Sequence, residues 1–255
     1  MMVRTVETPG QEVVAPPSMG ELVPTASLAV DVVLFTVLRG PGGSPFRVLL
    51  VNQPDADGTQ HWQLPGVLVR PSETFEGAAR RAVAEKAGFD AREWYLEQLV
   101  TFGEPARDSR GRVASIAHVA LVRTDEAIAP GQAGLQTEWC SVDRLAERVL
   151  AFDHAEMIRV GIQRIRNKLR YSCVAFQLLP GRFTLAELRA VYAVILDPSL
   201  ARLSSGNFKK AMRPLFESGL LRVVGRSATG RRGRPSDLYS FVGQVTGTRE
   251  RELPW

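Results

Sequence analysis

HWQLPGVLVRPSETFEGAARRAVAEKAGF, residues 61–89, is the most informative stretch of the chain. Its second half carries the signals of a helix. Thr74 is a good N-cap residue, and Glu76 follows in the first turn, where an acid interacts favourably with the helix dipole. Gly88 stands just past the last turn, at a position that often takes the left-handed conformation. These signals predict a helix over residues 74–87.

Three positions of that helix are spaced so that they share one face. Residues three or four apart on a helix are neighbours, so Ala82, Glu85 and Lys86 are expected to lie together. Magnesium requires several hard oxygen ligands, and one carboxylate beside an ammonium is a poor site for it.

The stretch resembles the Nudix box, G-x5-E-x7-R-E-U-x-E-E-x-G-U, in which U is aliphatic or bulky. The positions that match, after a Leu-Pro-Gly, are Glu73, Arg81, Val83, Glu85, Gly88 and Phe89. The positions that depart are Val67 for the first glycine, Ala82 for the glutamate after the arginine, and Lys86 for the second glutamate of the pair. Nudix hydrolases hold magnesium on these glutamates. The resemblance therefore implies a Nudix fold, pairing of Glu73 with Arg81, very weak or absent hydrolysis, and no catalytic or metal-binding residue. It also implies that Lys86 replaces part of the metal charge, so that the domain holds a pyrophosphate without cutting it.

Two other interpretations of the box stay open. In one, the stretch is only a strand, a loop and an amphipathic helix with solvated charges. In the other, the chain is a Nudix ADP-ribose pyrophosphatase with an accessory nucleic-acid-binding domain, in which Glu73, Glu85 and Glu104 recruit magnesium in a non-standard way. Metal-dependent release of AMP separates such an enzyme from a non-enzymatic sensor.

The rest of the N-terminal half predicts a buried mixed sheet. Residues 27–38, SLAVDVVLFTVL, form a nearly continuous apolar run, which is typical of a strand covered on both faces. Further strands are expected at residues 47–53, 96–103, 112–123 and 137–142. The proline-containing residues 1–26 are expected to form a flexible arm. Together with the Nudix resemblance, these elements imply an α+β fold with an α/β/α sandwich.

The basic charge of the chain is concentrated in its C-terminal half. Residues 1–157 hold 14 basic and 21 acidic residues, whereas residues 158–240 hold 16 basic and four acidic residues, a net charge of +12. Such a density favours a polyanionic partner such as double-stranded DNA, because neutralised phosphates release condensed counterions. A module that serves only dimerisation is the less favoured interpretation of this half.

Three helices and a hairpin are expected in the basic half. Asp153 with Glu156 has the spacing of a capping box and begins a junction helix, and Thr184 with Glu187 begins a second helix. The third helix covers residues 205–218. Its core-facing residues are expected to be Phe208, Met212 and Leu215 or Phe216. Strands at residues 220–224 and 237–241 flank an arginine-rich loop.

This pattern predicts a winged helix-turn-helix domain whose third helix enters the DNA major groove. The outward residues of that helix are expected to contact bases and phosphates, and the loop arginines to contact phosphates or a narrow minor groove. The expected DNA-binding residues are Asn207, Lys209, Lys210, Arg213, Arg226, Arg231, Arg232 and Arg234. A solvated basic face is the alternative for the helix.

The two halves together are similar to the Nudix-related transcriptional regulators, the NrtR family. Beyond the box, the similar segments are TFGEPARDSRGRVAS, AFDHAEMI, FTLAELRAVY, NFKKAM and RGRP. The resemblance implies a homodimer that represses NAD metabolism genes from a near-palindromic operator, with ADP-ribose or a related NAD derivative as effector and no required cofactor. The expected parts are an arm (1–26), a sensing domain (27–152), a linker helix (153–170), a winged helix (171–244) and a tail (245–255).

The effector is expected to meet five residues, namely Arg81, Glu85, Lys86, Arg70 and Trp62. Trp62 either stacks on an adenine or fills the core, and the sequence does not separate these roles. Arg107 and Arg110 are also able to meet phosphates, although a solvated loop arginine is the commoner state.

The composition excludes several classes of protein. No apolar run reaches the roughly 20 residues of a membrane-spanning helix, so a cytoplasmic protein with no membrane partner is expected. Cys140 and Cys173 are expected to be buried thiols and not to form a disulfide or a zinc site. His61 and His118 are expected to pack or to lie at the surface, and His154 to cap or order the junction helix.

Overall fold

The computed structural model describes residues 25–37, 46–54, 58–88, 94–123, 135–196, 205–227 and 235–243. The strands are β1 Ser27–Val37, β2 Phe46–Pro54, β3 Gln60–Gln63, β4 Gly66–Leu68, β5 Tyr95–Phe102, β6 Val113–Leu121, β7 Gln136–Ser141, β8 Leu221–Arg226 and β9 Asp237–Phe241. The α-helices are α1 Phe75–Ala87, α2 His154–Lys168, α3 Leu185–Ile195, α4 Ser205–Ala211 and α5 Arg213–Glu217. Short 3₁₀ helices cover Val142–Glu147 and Cys173–Leu178.

A seven-stranded mixed sheet forms the N-terminal half. Its strand order is β3-β2-β1-β6-β5, with β4 paired to β1 and β7 paired to β2. Strands β1 and β6 are parallel, and the other pairs are antiparallel. The predicted mixed sheet is therefore confirmed.

Strand β1 is covered on both faces, as its continuous apolar run predicts. Val30, Val32 and Leu34 pack on one face with α1 residues such as Ala82. The alternate residues, including Val33 and Phe35, pack on the other face with Ile158 and Ile165 of α2. Because successive side chains of a strand point to opposite faces, the two helices sandwich the sheet. The expected α/β/α arrangement is confirmed.

The C-terminal half is a winged helix. Strands β8 and β9 form an antiparallel hairpin. A further pair of backbone hydrogen bonds joins Phe183 to Tyr239 of β9 and anchors the start of α3, at N···O distances of 3.0 and 2.7 Å. The capping box expected at Thr184 and Glu187 is present in full. The fold predicted for this half is confirmed.

The third helix of the winged helix is not continuous, which corrects the prediction for residues 205–218. It divides at Met212 into α4 and α5. Pro214 lacks the N–H that would bond to the carbonyl of Lys210, and its ring clashes with that carbonyl in a regular helix. The expected core contacts survive the break, because Phe208, Met212 and Leu215 are all buried.

Two short strands, β3 and β4, were not predicted as separate elements. They flank Leu64 and Pro65 within the stretch 61–89 and have three or four residues each. A strand this short has too few residues to show a clear alternation of apolar and polar side chains.

The apolar core is continuous through α2. One cluster of buried residues includes Phe35 of the sheet, Ile158 and Ile165 of α2, and Val174 and Leu188 of the winged helix. In the described part of the chain, no helix is long and apolar enough to cross a membrane. Helix α2 is thus packed against both halves of the protein.

Candidate functional site

A cleft opens beside α1 and has two adjoining lobes. The first, called here the box lobe, has a volume of about 570 Å³ and is lined in part by Arg70, Arg81, Glu85 and Lys86. The second, called here the loop lobe, has a volume of about 550 Å³. Both lobes are lined by Gln53, Gln63, Arg107, Arg110 and Phe152. Four of the five residues expected to bind the effector therefore surround one cavity.

The Glu73–Arg81 pair expected from the Nudix resemblance is present. Arg81 donates through Nε and Nη2 to the two oxygens of Glu73, both at 2.7 Å, and Nη2 also donates to the carbonyl of Leu68 at 2.9 Å. The hydrogen bonds from Arg81 lower the pKa of Glu73 to about 2. This pair fixes the loop before α1 to the helix itself.

The carboxylate of Glu85 lies between two arginines. Its oxygens are 3.4 Å from Arg70 Nη2 and 3.3 Å from Arg81 Nη1. Lys86 lines the same lobe and is half-buried. No group of three or more His, Cys, Asp or Glu residues able to hold a metal exists among the described residues. A magnesium ion does not fit this donor set, because both box carboxylates, Glu73 and Glu85, are already paired with arginines.

Ala82 does not belong to the cleft, which corrects the expectation that it shares a face with Glu85 and Lys86. It is completely buried between α1 and the sheet and is not among the described residues that line the two lobes. A methyl group has nothing polar to present to solvent, so it packs in the core.

Trp62 also lies away from the cleft, which corrects its placement with the effector residues. It is half-buried against the hydrophobic core and is not among the described residues that line either lobe. The guanidinium of Arg148 lies 5.1 Å from its ring centroid. His61 and Gln63, its neighbours on β3, do line the loop lobe, so the alternation along the strand turns Trp62 the other way.

A buried ion-pair cluster forms the wall between the cleft and α2. Arg107 donates through Nε and Nη2 to the two oxygens of Asp153, at 2.9 and 2.6 Å. Its Nη2 is also 3.7 Å from Asp31 Oδ2, and its side chain is only 3% exposed. The expectation of a solvated loop arginine is therefore wrong for Arg107, whereas Arg110 is 65% exposed and paired with Asp108.

Asp31 is buried and is the second carboxylate that faces Arg107 in this cluster. Ser115 Oγ donates to it at 2.6 Å, and His154 Nε2 lies 3.5 Å from its other oxygen. Burial alone would raise the pKa of Asp31, but His154, Ser115 and Arg107 outweigh that effect and hold the pKa below its ordinary value. The signal that sequence reasoning missed was an aspartate inside an apolar strand, because a buried carboxylate requires a cationic or donor partner.

His154 orders the start of α2, as expected. Its Nδ1 accepts a hydrogen bond from the backbone N–H of Leu64 at 3.0 Å. That bond places the ring proton on Nε2, towards Asp31. The side chain is buried and links the helix to the sheet.

The capping box predicted at Asp153 and Glu156 is wrong. Asp153 stands at the N-cap position, but within the described chain its side chain makes no hydrogen bond to the first turn of α2. Its carboxylate is held by Arg107 instead. Glu156 pairs with Arg159 one turn further along.

Five of the eight residues expected to bind DNA are described and exposed, on α4, at the start of α5 and at the end of β8. On α4, Asn207, Lys209 and Lys210 are exposed, whereas Phe208 between them is buried. Arg213 and Arg226 are exposed as well, and they form surface pairs with Glu217 and Asp237. The remaining wing residues, Arg231, Arg232 and Arg234, lie outside the described residues.

Comparisons with known proteins match both halves. Residues 28–160 match the family model of the NUDIX domain, and residues 175–241 match that of the NrtR DNA-binding winged helix domain. The chain is 30% identical over 221 residues to the ADPR responsive transcriptional repressor NtrR of Acinetobacter baylyi, covering 86% of this chain and 83% of that protein.

Two solved structures have similar folds over most of the chain. Shewanella oneidensis NrtR complexed with a 27mer DNA is 29% identical with a TM-score of 0.70, covering 84% of this chain and 93% of that one. A MutT/nudix family protein from Enterococcus faecalis is 26% identical with a TM-score of 0.67, covering 87% and 88% respectively.

Proposed function

The chain belongs to the NrtR family of Nudix-related transcriptional regulators, and on that premise we propose that it is a DNA-binding repressor that senses ADP-ribose or a related NAD derivative. The Acinetobacter relative is named as an ADPR responsive repressor, and the Shewanella relative was solved with DNA. The genes it controls would be those of NAD metabolism, and the active form would be a homodimer on a near-palindromic operator.

The observation that carries the proposal is the pairing of the Glu85 carboxylate with arginines. Glu85 is paired with Arg70 and Arg81, and Lys86 stands beside it where a metal-binding glutamate is found in the Nudix box. Arg70, Arg81 and Lys86 bring three positive charges to this part of the cleft against the two carboxylates of Glu73 and Glu85. The remaining net positive charge suits a pyrophosphate without a metal. A volume of about 570 Å³ also falls in the range of small-molecule sites.

The sensing domain is therefore proposed to bind its nucleotide without cutting it. Nudix hydrolysis needs magnesium to position water and to neutralise the pyrophosphate. The alternative of an ADP-ribose pyrophosphatase with Glu73, Glu85 and Glu104 has little support in the geometry. Glu73 is held by Arg81, and Glu104 is exposed and is not among the described residues that line the lobes.

DNA binding is proposed to use α4 and the wing. Helix α4 presents Asn207, Lys209 and Lys210 on its exposed side, and Asn pairs with adenine through two hydrogen bonds. The exposed ion pairs of Arg213 and Arg226 are worth little in water, so both arginines are free to exchange them for phosphates. Arg231, Arg232 and Arg234 are proposed to contact DNA as well.

One experiment tests both parts of the proposal. A labelled fragment carrying the promoter of an NAD biosynthesis gene is titrated with the protein, with and without ADP-ribose, and a parallel sample with magnesium is assayed for AMP. We expect specific DNA binding that changes with ADP-ribose and no AMP above the blank. A DNA affinity that does not change with ADP-ribose would contradict the sensing role. Turnover near one per second would identify an enzyme.

A further inference from the structure

Arg107 connects the effector cleft to the first turn of α2. It lies on the loop between β5 and β6 and lines both lobes. Its guanidinium donates two hydrogen bonds to the Asp153 carboxylate, at 2.9 and 2.6 Å. A guanidinium binds a phosphate through the same fork that it offers to a carboxylate. A phosphate in the cleft therefore competes directly with Asp153.

Asp153 has a second use for its carboxylate. It occupies the N-cap position of α2, where an aspartate normally accepts a hydrogen bond from the first-turn N–H groups. In the present arrangement that hydrogen bond is not made among the described residues, because Arg107 holds the carboxylate. A carboxylate near a helix N-terminus is also favoured by the helix dipole. Two alternative partners, Arg107 and the first turn of α2, are thus available to the same side chain.

The neighbours of Arg107 allow it to change partner. Asp31 also accepts a hydrogen bond from Ser115 and contacts His154, and neither interaction involves Arg107. The contact between Arg107 and Asp31 is long, at 3.7 Å. The ion pair with Asp153 is therefore the main one that an effector phosphate has to displace.

The backbone directly before α2 is strained at Phe152. Phe152 has a φ of 53°, which is uncommon for a bulky residue and costs free energy. The residue is 40% exposed and lines both lobes. A ligand in the cleft thus touches the residue directly before Asp153.

We propose that an effector phosphate takes Arg107 from Asp153, and that the released Asp153 carboxylate then caps α2. This inference rests on the proposed function and names how its effector site acts. Helix α2 carries the change to the winged helix, because its last turn is bonded there. Arg166 Nε donates to the carbonyl of Ile195 in α3 at 2.9 Å.

The test variant is Asp153→Asn in the full-length chain. Asparagine is a strong N-cap residue, but it no longer competes for Arg107 with a full charge. ADP-ribose should bind this variant at least about threefold more tightly than the wild type, because a charged competitor has been removed. Its DNA affinity without ligand should equal that of the wild type saturated with ADP-ribose. Adding ADP-ribose should then change DNA binding by less than about twofold, against a typical coupling of about 5- to 150-fold.

The matched control is Glu156→Gln, which removes one acid from the same first turn of α2. Glu156 pairs with Arg159 on the helix surface and does not hold Arg107. It should keep wild-type coupling. Asp153→Ser is the second variant, because serine is also a good N-cap residue. It should behave like Asp153→Asn, and it replaces that variant in the assays if Asp153→Asn is too unstable.

Each outcome decides the matter. Wild-type DNA binding that does not respond to ADP-ribose would overturn the proposed function and this inference with it. A responsive wild type with equally responsive Asp153 variants would overturn the inference alone. Weaker ADP-ribose binding in both Asp153 variants would show that the ion pair is only a brace for the cleft, which also overturns it.

Discussion

Gly66 on β4 and Asp31 on β1 are register partners, and the Asp31 carboxylate fills the space where a side chain at residue 66 would lie. A Cβ built on Gly66 would be 2.0 Å from Asp31 Oδ1 and 3.2 Å from the carbonyl oxygen of Val30. The glycine of the Leu-Pro-Gly sequence is thus required by the buried carboxylate opposite it. That carboxylate in turn belongs to the cluster with His154 and Arg107 at the start of α2.

Gly66→Ala should destabilise the protein by about 1 to 3 kcal/mol, the usual range for forcing an extra carbon into a packed site. The Asp31 side chain cannot yield easily, because it is fixed by Ser115 and His154. Urea unfolding followed by circular dichroism measures the change. Gly103→Ala is the control, since a Cβ there has no neighbour within 4 Å. Equal midpoints for the two variants would show that Asp31 can move aside.

Lys86→Gln should weaken metal-free binding of inorganic pyrophosphate by about fivefold, because the box lobe loses one of its cations. Calorimetry in a chelating buffer measures it. Ala84→Glu is the control, because it makes the same change in charge at an exposed position of α1 that does not line either lobe among the described residues. Equal losses in both variants would indicate a diffuse electrostatic effect and no contact at Lys86.

Elements with a long apolar run or clear capping residues could be predicted from the sequence. The site could be predicted only in part. The long run of β1 and the capped helix α1 carry their own signals, since Thr74 accepts from the N–H of Gly77 and Gly88 has a φ of 74°. The Glu73–Arg81 pair lies within one motif and was predictable for that reason. Arg107 was not, because its burial depends on Asp153, which is 46 residues away in the chain.

The same reason explains the wrong cap at Asp153. A local pattern of an aspartate three residues before a glutamate is a sound signal for a helix start, and α2 does begin there. Which hydrogen bond the aspartate makes is decided by a tertiary partner that the pattern does not contain. Short-range signals therefore located the helix but not the role of its first side chain.

Replacing Lys209 and Lys210 together by Ala should weaken binding to all DNA sequences and reduce the slope of log K against log salt by about 2, because each lysine that contacts a phosphate contributes about 1. Asn207→Ala should instead relax the preference at one operator position by about 1 to 3 kcal/mol. Fluorescence anisotropy over a range of salt concentrations measures both.

The control for the lysine pair is Arg144→Ala with Arg159→Ala, which removes two exposed cations from the sensing half and its linker helix. This variant should keep the wild-type salt slope. A lysine double variant with unchanged affinity would remove α4 from the DNA interface.

The Glu73–Arg81 pair should make stability depend on acid. Because Arg81 lowers the pKa of Glu73 from its ordinary value of 4.5 to about 2, the folded state binds the proton less readily than the unfolded chain. The stabilisation from this pair is therefore complete above about pH 4.5 and is lost as the pH falls through about 2. Arg81→Gln removes the cause of the shift, so the variant should lose stability at neutral pH but show a shallower further loss between pH 5 and pH 2.

Urea unfolding at a series of pH values measures the two slopes of stability against pH. Arg80→Gln is the control, since Arg80 pairs with Glu76 on the same helix. If Arg81→Gln and the wild type lose stability in parallel over that range, the acid sensitivity of the fold comes from other carboxylates, such as the buried Asp31.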